Sequence, residues 1–291
     1  MTSITFDPGR RCALRVLSAS AGVAMLPAWA QSPPAPRLVT ISGAITEVVY
    51  ALGAEAQLVG TDTTSLYPLA ALKTPKVGYM RQLSAEGLLS LKPDAVIATT
   101  ESGPPVVLDQ LRSAGVKLEL IEADHSWSEV QRKVRAVGRA SAREAQARAL
   151  EARLDAEWAD TQKRVAAASG RKPRVLFVLS HSASPQVSGE KTAAHAVIGF
   201  AGGVNCLSGF NGYRPMTAEA MASAAPDIIL TSAQSIDAHG GVDKFWERPE
   251  LALTPAYRKR ALVTQDALLL LGFGPRLPGA IGELHKRFLG A

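Results

Sequence analysis

From Arg37 the chain opens on a short, continuously apolar and β-branched run, turns at Ser42 and Gly43, and then repeats its apolar positions at helical spacing as far as Gly53. The same alternation continues downstream. Short strands are predicted over 58–60, 94–100 and 116–124, with amphipathic helices over 85–92 and 106–115 between them. Short apolar strands separated by helices predict βαβ units built on a mostly parallel sheet.

The pattern changes at Ser126, which forms a capping-box sequence with Glu129 and opens about forty residues rich in Ala, Arg and Glu. Gly138 and Ser141 are expected to divide this stretch into two helices. The second, over about 142–168, has 27 residues and a length of about 40 Å. A helix of that length can join two lobes. It reads equally as a solvated helix held by Glu-Arg pairs four residues apart, and both descriptions can hold at once.

After Gly170 and Pro173 the alternation resumes, with strands over 174–180, 227–232 and 261–266, a helix over 195–201 and a final helix ending near Phe288. An internal repeat ties the two halves together. Ser84-Ala-Glu86 leads through a helix to Pro93-Asp94 and a strand, and Thr217-Ala-Glu219 leads through a helix to Pro226-Asp227 and a strand. The fold class is therefore α/β, with two related Rossmann-like lobes (31–125 and 171–291) joined by connecting helices over 126–170, and a ligand cleft between the lobes. Ser84 and Thr217 are placed to cap their helices. Glu86 and Glu219 then sit in first turns, where the helix dipole alone favours a carboxylate.

Residues 1–30 stand apart, because Arg10, Arg11 and Arg15 precede an apolar stretch from Val16 to Leu26 and an Ala28-Trp29-Ala30 cleavage pattern. This is a signal peptide and predicts a periplasmic protein. The paired arginines leave the general and twin-arginine routes both open. Cys12 departs with the signal, so Cys206 remains alone and no intrachain disulfide is expected. The 291-residue chain is 47% hydrophobic and 20% charged, which excludes disorder and a polytopic membrane protein. The signal holds three Arg and Asp7, so the remainder carries 29 basic and 25 acidic side chains, with no nucleic-acid motif.

The most unusual string is Val77-Gly78-Tyr79-Met80-Arg81-Gln82, just ahead of the helix that starts near Ser84. Loops in that position of an α/β lobe carry ligand-facing side chains. In an extended segment Tyr79 and Arg81 point to the same side. A nearby cation favours the phenolate, a hard oxygen donor suited to ferric iron and a known axial ligand of haem. Taken alone, Tyr79 is equally a packing or hydrogen-bonding loop residue, and His181, at a strand end, is equally structural.

Five stretches together, RLVTISGAITEVVYALGA, VGYMRQLSAEGLLSLKPD, VLFVLSHSAS, GYRPMTAEAM and LLLGFG, resemble the periplasmic haem-binding proteins of bacterial haem ABC importers, within the class III substrate-binding proteins. The resemblance covers essentially the whole chain after the signal. It implies that Tyr79 is the axial ligand of ferric haem, that Arg81 hydrogen-bonds its phenolate, and that His181 ligates a second, stacked haem. It also implies that Glu86 and Glu219 meet arginines on the two subunits of an inner-membrane ABC permease, that an outer-membrane haem receptor system supplies the ligand, and that the chain is monomeric. By position and chemistry, Arg214 is a candidate for a haem propionate, Tyr213 for the porphyrin face, and Met80 and Phe273 for the pocket lining. No zinc spacing, nucleophile elbow or Walker loop is present, so a binding protein is expected and not an enzyme. A siderophore or cobalamin binder, and a secreted haem-processing enzyme, are the alternatives.

Overall fold

The computed structural model describes residues 1–3, 34–180 and 185–290. His181 and nearly all of the signal segment lie outside the described residues. The first lobe runs β1 (Leu38–Thr40), α1 (Gly43–Ala51), β2 (Leu58–Thr61), α2 (Ala85–Ser90), β3 (Ala95–Thr99), α3 (Pro105–Ser113) and β4 (Lys117–Ile121). Its four strands are ordered β2-β1-β3-β4, and every pairing is parallel. Side chains alternate across this sheet, as a strand's two-residue period requires. Leu38, Ala95 and Ile97 enter the core that runs on into the second lobe, and Val39, Val96 and Ala98 enter a smaller core with Leu88 of α2 and Leu111 of α3.

Two helices follow, α4 (Trp127–Ala140) and α5 (Glu144–Ala167). Residues 141–143 break them, with Ala142 at φ 54°, so α5 has 24 residues and is about 36 Å long, shorter than expected. Gly138 does not divide them. It lies inside α4, and a Cβ there would sit 2.5 Å from the Cβ of Ala147, so it is the point where α5 crosses closely. At the other end of this helix pair, where α4 begins, the indoles of Trp127 and Trp158 stack with centroids 4.8 Å apart, and Phe200 meets Trp158 edge-on at 5.0 Å. Trp127 Nε1 and Gln131 Nε2 both donate to Asp155 Oδ1, at 2.7 and 2.8 Å.

The second lobe comprises β5 (Arg174–Leu179), β6 (Gln186–Ser188), α6 (Ala193–Phe200), β7 (Val204–Asn205), β8 (Tyr213–Pro215), α7 (Ala218–Ala224), β9 (Ile228–Ser232), α8 (Ala233–Ala238), α9 (Val242–Trp246), α10 (Pro255–Lys259), β10 (Leu262–Gln265), α11 (Ala267–Leu271) and α12 (Leu277–Leu289). The expectation of a mostly parallel sheet holds here with one local exception. β10, β9 and β5 pair in parallel, but β6 and β8 extend the sheet antiparallel. Residues 213–215 therefore form an edge strand.

The repeat is visible in atomic detail. Asp94 Oδ2 accepts from the amide of Arg37 at 2.7 Å and Asp227 Oδ2 from the amide of Arg174 at 2.8 Å, each just before its lobe's first strand or at its start. Each arginine also caps the end of the repeated helix segment, Arg37 on the carbonyls of Leu91 and Lys92, Arg174 on that of Ala224. Lys92 and Ala225, the residues before the two prolines, both take a left-handed conformation, at φ 47° and 42°.

The lobes are clamped together behind α1. Arg276, just ahead of α12, makes a bidentate pair with the buried carboxylate of Glu47 on α1, and its guanidinium carbon lies 3.7 Å from the ring centre of Tyr67. On α4, the fully buried Lys133 pairs with Glu129 at 2.6 Å and donates to the carbonyls of Gly272 and Phe273 at 2.8 and 3.2 Å. Phe273 is fully buried, near His125 and Phe200, so it is a core residue and does not line a cleft.

Candidate functional site

The turn bearing Tyr79 is built from the backbone outward. Residues 75–77 run beside the end of β2, where Thr61 donates to Pro75 O and accepts from Val77 N, both at 2.9 Å. Thr63 N reaches Gly78 O at 2.9 Å, and Gly78 takes φ 102°, a value that favours glycine. Gln82 N then donates to Tyr79 O at 2.8 Å, closing a turn over Tyr79-Met80-Arg81-Gln82. The segment is thus not extended, as the sequence reading assumed. Met80 O accepts from Gly103 N at 2.9 Å, and Leu83 N donates back to Gly103 O at 3.0 Å, so the loop after β3 latches the turn. The half-buried Met80 packs against the smaller core and serves as the turn's anchor.

Beneath it, Lys76 Nζ donates to Thr61 Oγ1 at 2.8 Å and to the carbonyls of Ser65 and Ala71 at 2.9 and 3.1 Å. Burial pulls its ammonium below the usual lysine range, against the opposing pull of Asp62. The support under the turn is therefore polar and fully engaged.

With the turn closed, the two side chains still meet. Arg81 Nη1 donates to the phenolic oxygen of Tyr79 at 2.9 Å, and Arg81 Nη2 donates to Glu101 Oε2 at 2.6 Å. Tyr79 is 40% exposed, so its ring remains open to a ligand. Burial depresses the Arg81 pKa, but the Tyr79 hydrogen bond and the charge of Glu101 outweigh it and raise the value further. Tyr213 of β8 comes within electrostatic reach of this group from the second lobe. Burial first, then repulsion from Glu101, pushes its phenol up to about 12, against the attraction of Arg81. Deprotonation therefore costs Tyr213 more than an ordinary phenol.

Arg214, next along β8, leaves the opposite face of the strand and lies exposed over the ring of Phe210 at 4.3 Å. Glu86 and Glu219 are both exposed in the first turns of α2 and α7, below caps in which Ser84 Oγ accepts from Gly87 N and Thr217 Oγ1 from Ala220 N. Tyr79, Arg81 and Tyr213 thus come together, while the glutamates stand apart on repeated elements.

Sequence reasoning missed Glu101 and the line of groups behind it. Glu101 Oε1 lies 3.9 Å from His125 Nε2, and Glu129 Oε2 lies 3.9 Å from His125 Nδ1 while accepting from the His125 amide at 2.7 Å. Glu129 then meets Lys133. One signal pointed to Glu101, namely its place just beyond the carboxyl end of a parallel strand, where α/β sheets present ligand-binding groups.

A lobed α/β architecture with its candidate site between lobes is the form of a substrate-binding protein, and the family model for periplasmic binding proteins matches residues 38–268. The chain belongs to the periplasmic binding protein family. It is similar to the periplasmic heme-binding protein BhuT, solved in complex with two hemes, at 44% identity with a TM-score of 0.83, covering 87% of this chain and 97% of that one. It is similar to RhuT, a periplasmic heme-binding protein from Roseiflexus sp. RS-1 solved in apo form, at 37% identity and a TM-score of 0.83, with 88% and 98% covered. Among curated proteins, an ABC transporter substrate-binding lipoprotein, YvrC of Bacillus subtilis (strain 168), is 27% identical over 257 residues, or 86% of this chain and 79% of the relative. The family and these relatives are binding proteins for transport, not enzymes.

Proposed function

We propose that this chain captures ferric haem in the periplasm, in the cleft between its lobes, and delivers it to an inner-membrane ABC permease. The observation that carries the reading is the Tyr79 phenol, exposed on a braced turn with Arg81 bonded to its oxygen. An oxygen donor beside a fixed cation suits ferric iron, and the chain is 44% identical to a protein solved with two hemes. In this reading Tyr79 holds the iron, Arg81 donates to the ligating oxygen, and Tyr213 packs on the porphyrin as a neutral aromatic. Arg214 takes a propionate after leaving Phe210, trading a cation-aromatic contact for a charge-assisted bond. His181 ligates a second haem. Residues 1–30 are the export signal, and 31–125, 126–170 and 171–291 are the two lobes and their connector.

The test is a titration of the mature protein with ferric haem followed by absorbance. A saturable phenolate-type spectrum is expected. An endpoint of two haems that falls to one in His181→Ala would support the second ligand, whereas one haem in both proteins would remove it. Absence of any spectral change, with tight binding of a siderophore or cobalamin, would overturn the haem reading.

Glu86 and Glu219 dock the loaded protein on the permease, their placement on repeated elements suiting a partner of two equivalent subunits. Alanine at both positions is expected to leave haem binding intact and to abolish stimulation of the reconstituted transporter's ATPase. Undiminished stimulation would refute this role.

A further inference from the structure

Arg81 is half exposed, with 51% of its side chain in solvent, and a free arginine there would sample many rotamers. Fixing such a side chain costs up to about 2 kcal/mol of conformational entropy, a cost met at the moment of ligand binding unless something fixes it beforehand. Glu101 is placed to do so. Its carboxylate takes Nη2 at 2.6 Å, which leaves Nη1 free for the Tyr79 oxygen at 2.9 Å, so the two acceptors use different nitrogens and do not compete for one proton.

Glu101 is itself held. Its loop ends in Gly103, which exchanges backbone hydrogen bonds with Met80 and Leu83 on either side of Arg81, and Thr99 N donates to Ser102 Oγ at 3.3 Å. The carboxylate and the tyrosine turn thus share one rigid backbone frame, although they lie 20 residues apart in the chain.

We infer that Glu101 is a positioning residue for the ligand site, orienting Arg81 on the Tyr79 oxygen before the ligand arrives. The inference rests on the haem reading and deepens it. It makes the competent element a three-residue relay, Glu101 to Arg81 to Tyr79, of which only the last touches iron.

The test is a double-mutant cycle on the mature protein with ferric haem as the probe, comparing wild type, Glu101→Gln, Arg81→Ala and the double variant. Glutamine keeps the shape and removes the charge, at a site 39% exposed, and an unchanged thermal unfolding midpoint checks that the fold is intact. Glu101→Gln is expected to weaken haem binding roughly threefold to thirtyfold by restoring that entropy cost. It should also move the phenolate-to-iron absorbance band in the direction that Arg81→Ala moves it. In the Arg81→Ala background it should change neither affinity nor band. Equal losses in both backgrounds, or an unmoved band in Glu101→Gln, would overturn the inference. A wild type without a phenolate band would instead overturn the haem reading itself, so the two failures are distinguishable.

Discussion

Tyr79→Ala abolishes the phenolate-type spectrum of the haem complex and weakens ferric-haem binding by more than about 100-fold. The expectation follows from what remains once the phenol is gone. Loss even of a group that only supports a ligand lowers metal affinity by roughly 10-fold to 100-fold, and loss of the ligand itself exceeds that. Tyr213 is a poor substitute, because burial and Glu101 push its phenol up to about 12 and add to the cost of forming a phenolate. Tyr79→Phe separates the contributions, since it keeps the ring and removes only the donor. It should lose the band as fully as alanine does while retaining any stacking affinity. A Tyr79→Phe protein with wild-type spectrum and affinity would show that iron is held elsewhere.

Lys133→Met destabilises the protein by about 3 to 5 kcal/mol, the usual cost of removing one member of a buried ion pair. Three groups lose their partner at once. Glu129 is left as a buried charge, and the carbonyls of Gly272 and Phe273 lose their donor. The burial that draws the Lys133 pKa down, against the pull of Glu129, is the same burial that makes the orphaned carboxylate costly. Thermal unfolding should fall by on the order of 10 °C. Adding Glu129→Gln to Lys133→Met should recover part of the loss, because no unpaired charge then remains. A double variant as unstable as the single one would mean that the carbonyl contacts, and not the charge, carry the stability.

Much of this architecture was readable from periodicity. The parallel strands of both lobes, the paired helix-Pro-Asp units and the long second connecting helix all emerged, because each is long enough or repeated enough to set a period. The antiparallel strands β6 and β8 did not, since three residues contain too little alternation to register. Gly138 looked like a breaker because sequence does not reveal that a neighbouring helix approaches at that point. Phe273 was expected to line the pocket by its position between glycines, yet it is fully buried against His125 and Phe200.

The candidate site divided along similar lines. Tyr79 and Arg81 were visible because they lie two positions apart and the string is distinctive. Glu101 was not, because its contact with Arg81 is made through space between two loops at the ends of neighbouring segments. Glu129 and Lys133 have the four-residue spacing of any solvated helical pair, and that spacing is the same whether the face looks outward or inward.

The indole stack between the two connecting helices gives the protein an optical identity. The described residues contain three tryptophans, and two of them, Trp127 and Trp158, lie parallel at 4.8 Å where the connecting helices meet. Trp246 lies apart, in the second lobe against Phe245 and Tyr257. Two of the protein's strongest ultraviolet absorbers therefore form one excitonically coupled pair between the connecting helices. Loss of the coupled component in near-ultraviolet circular dichroism, read against a Trp158→Phe variant, accordingly gives a handle on that seam with no label introduced.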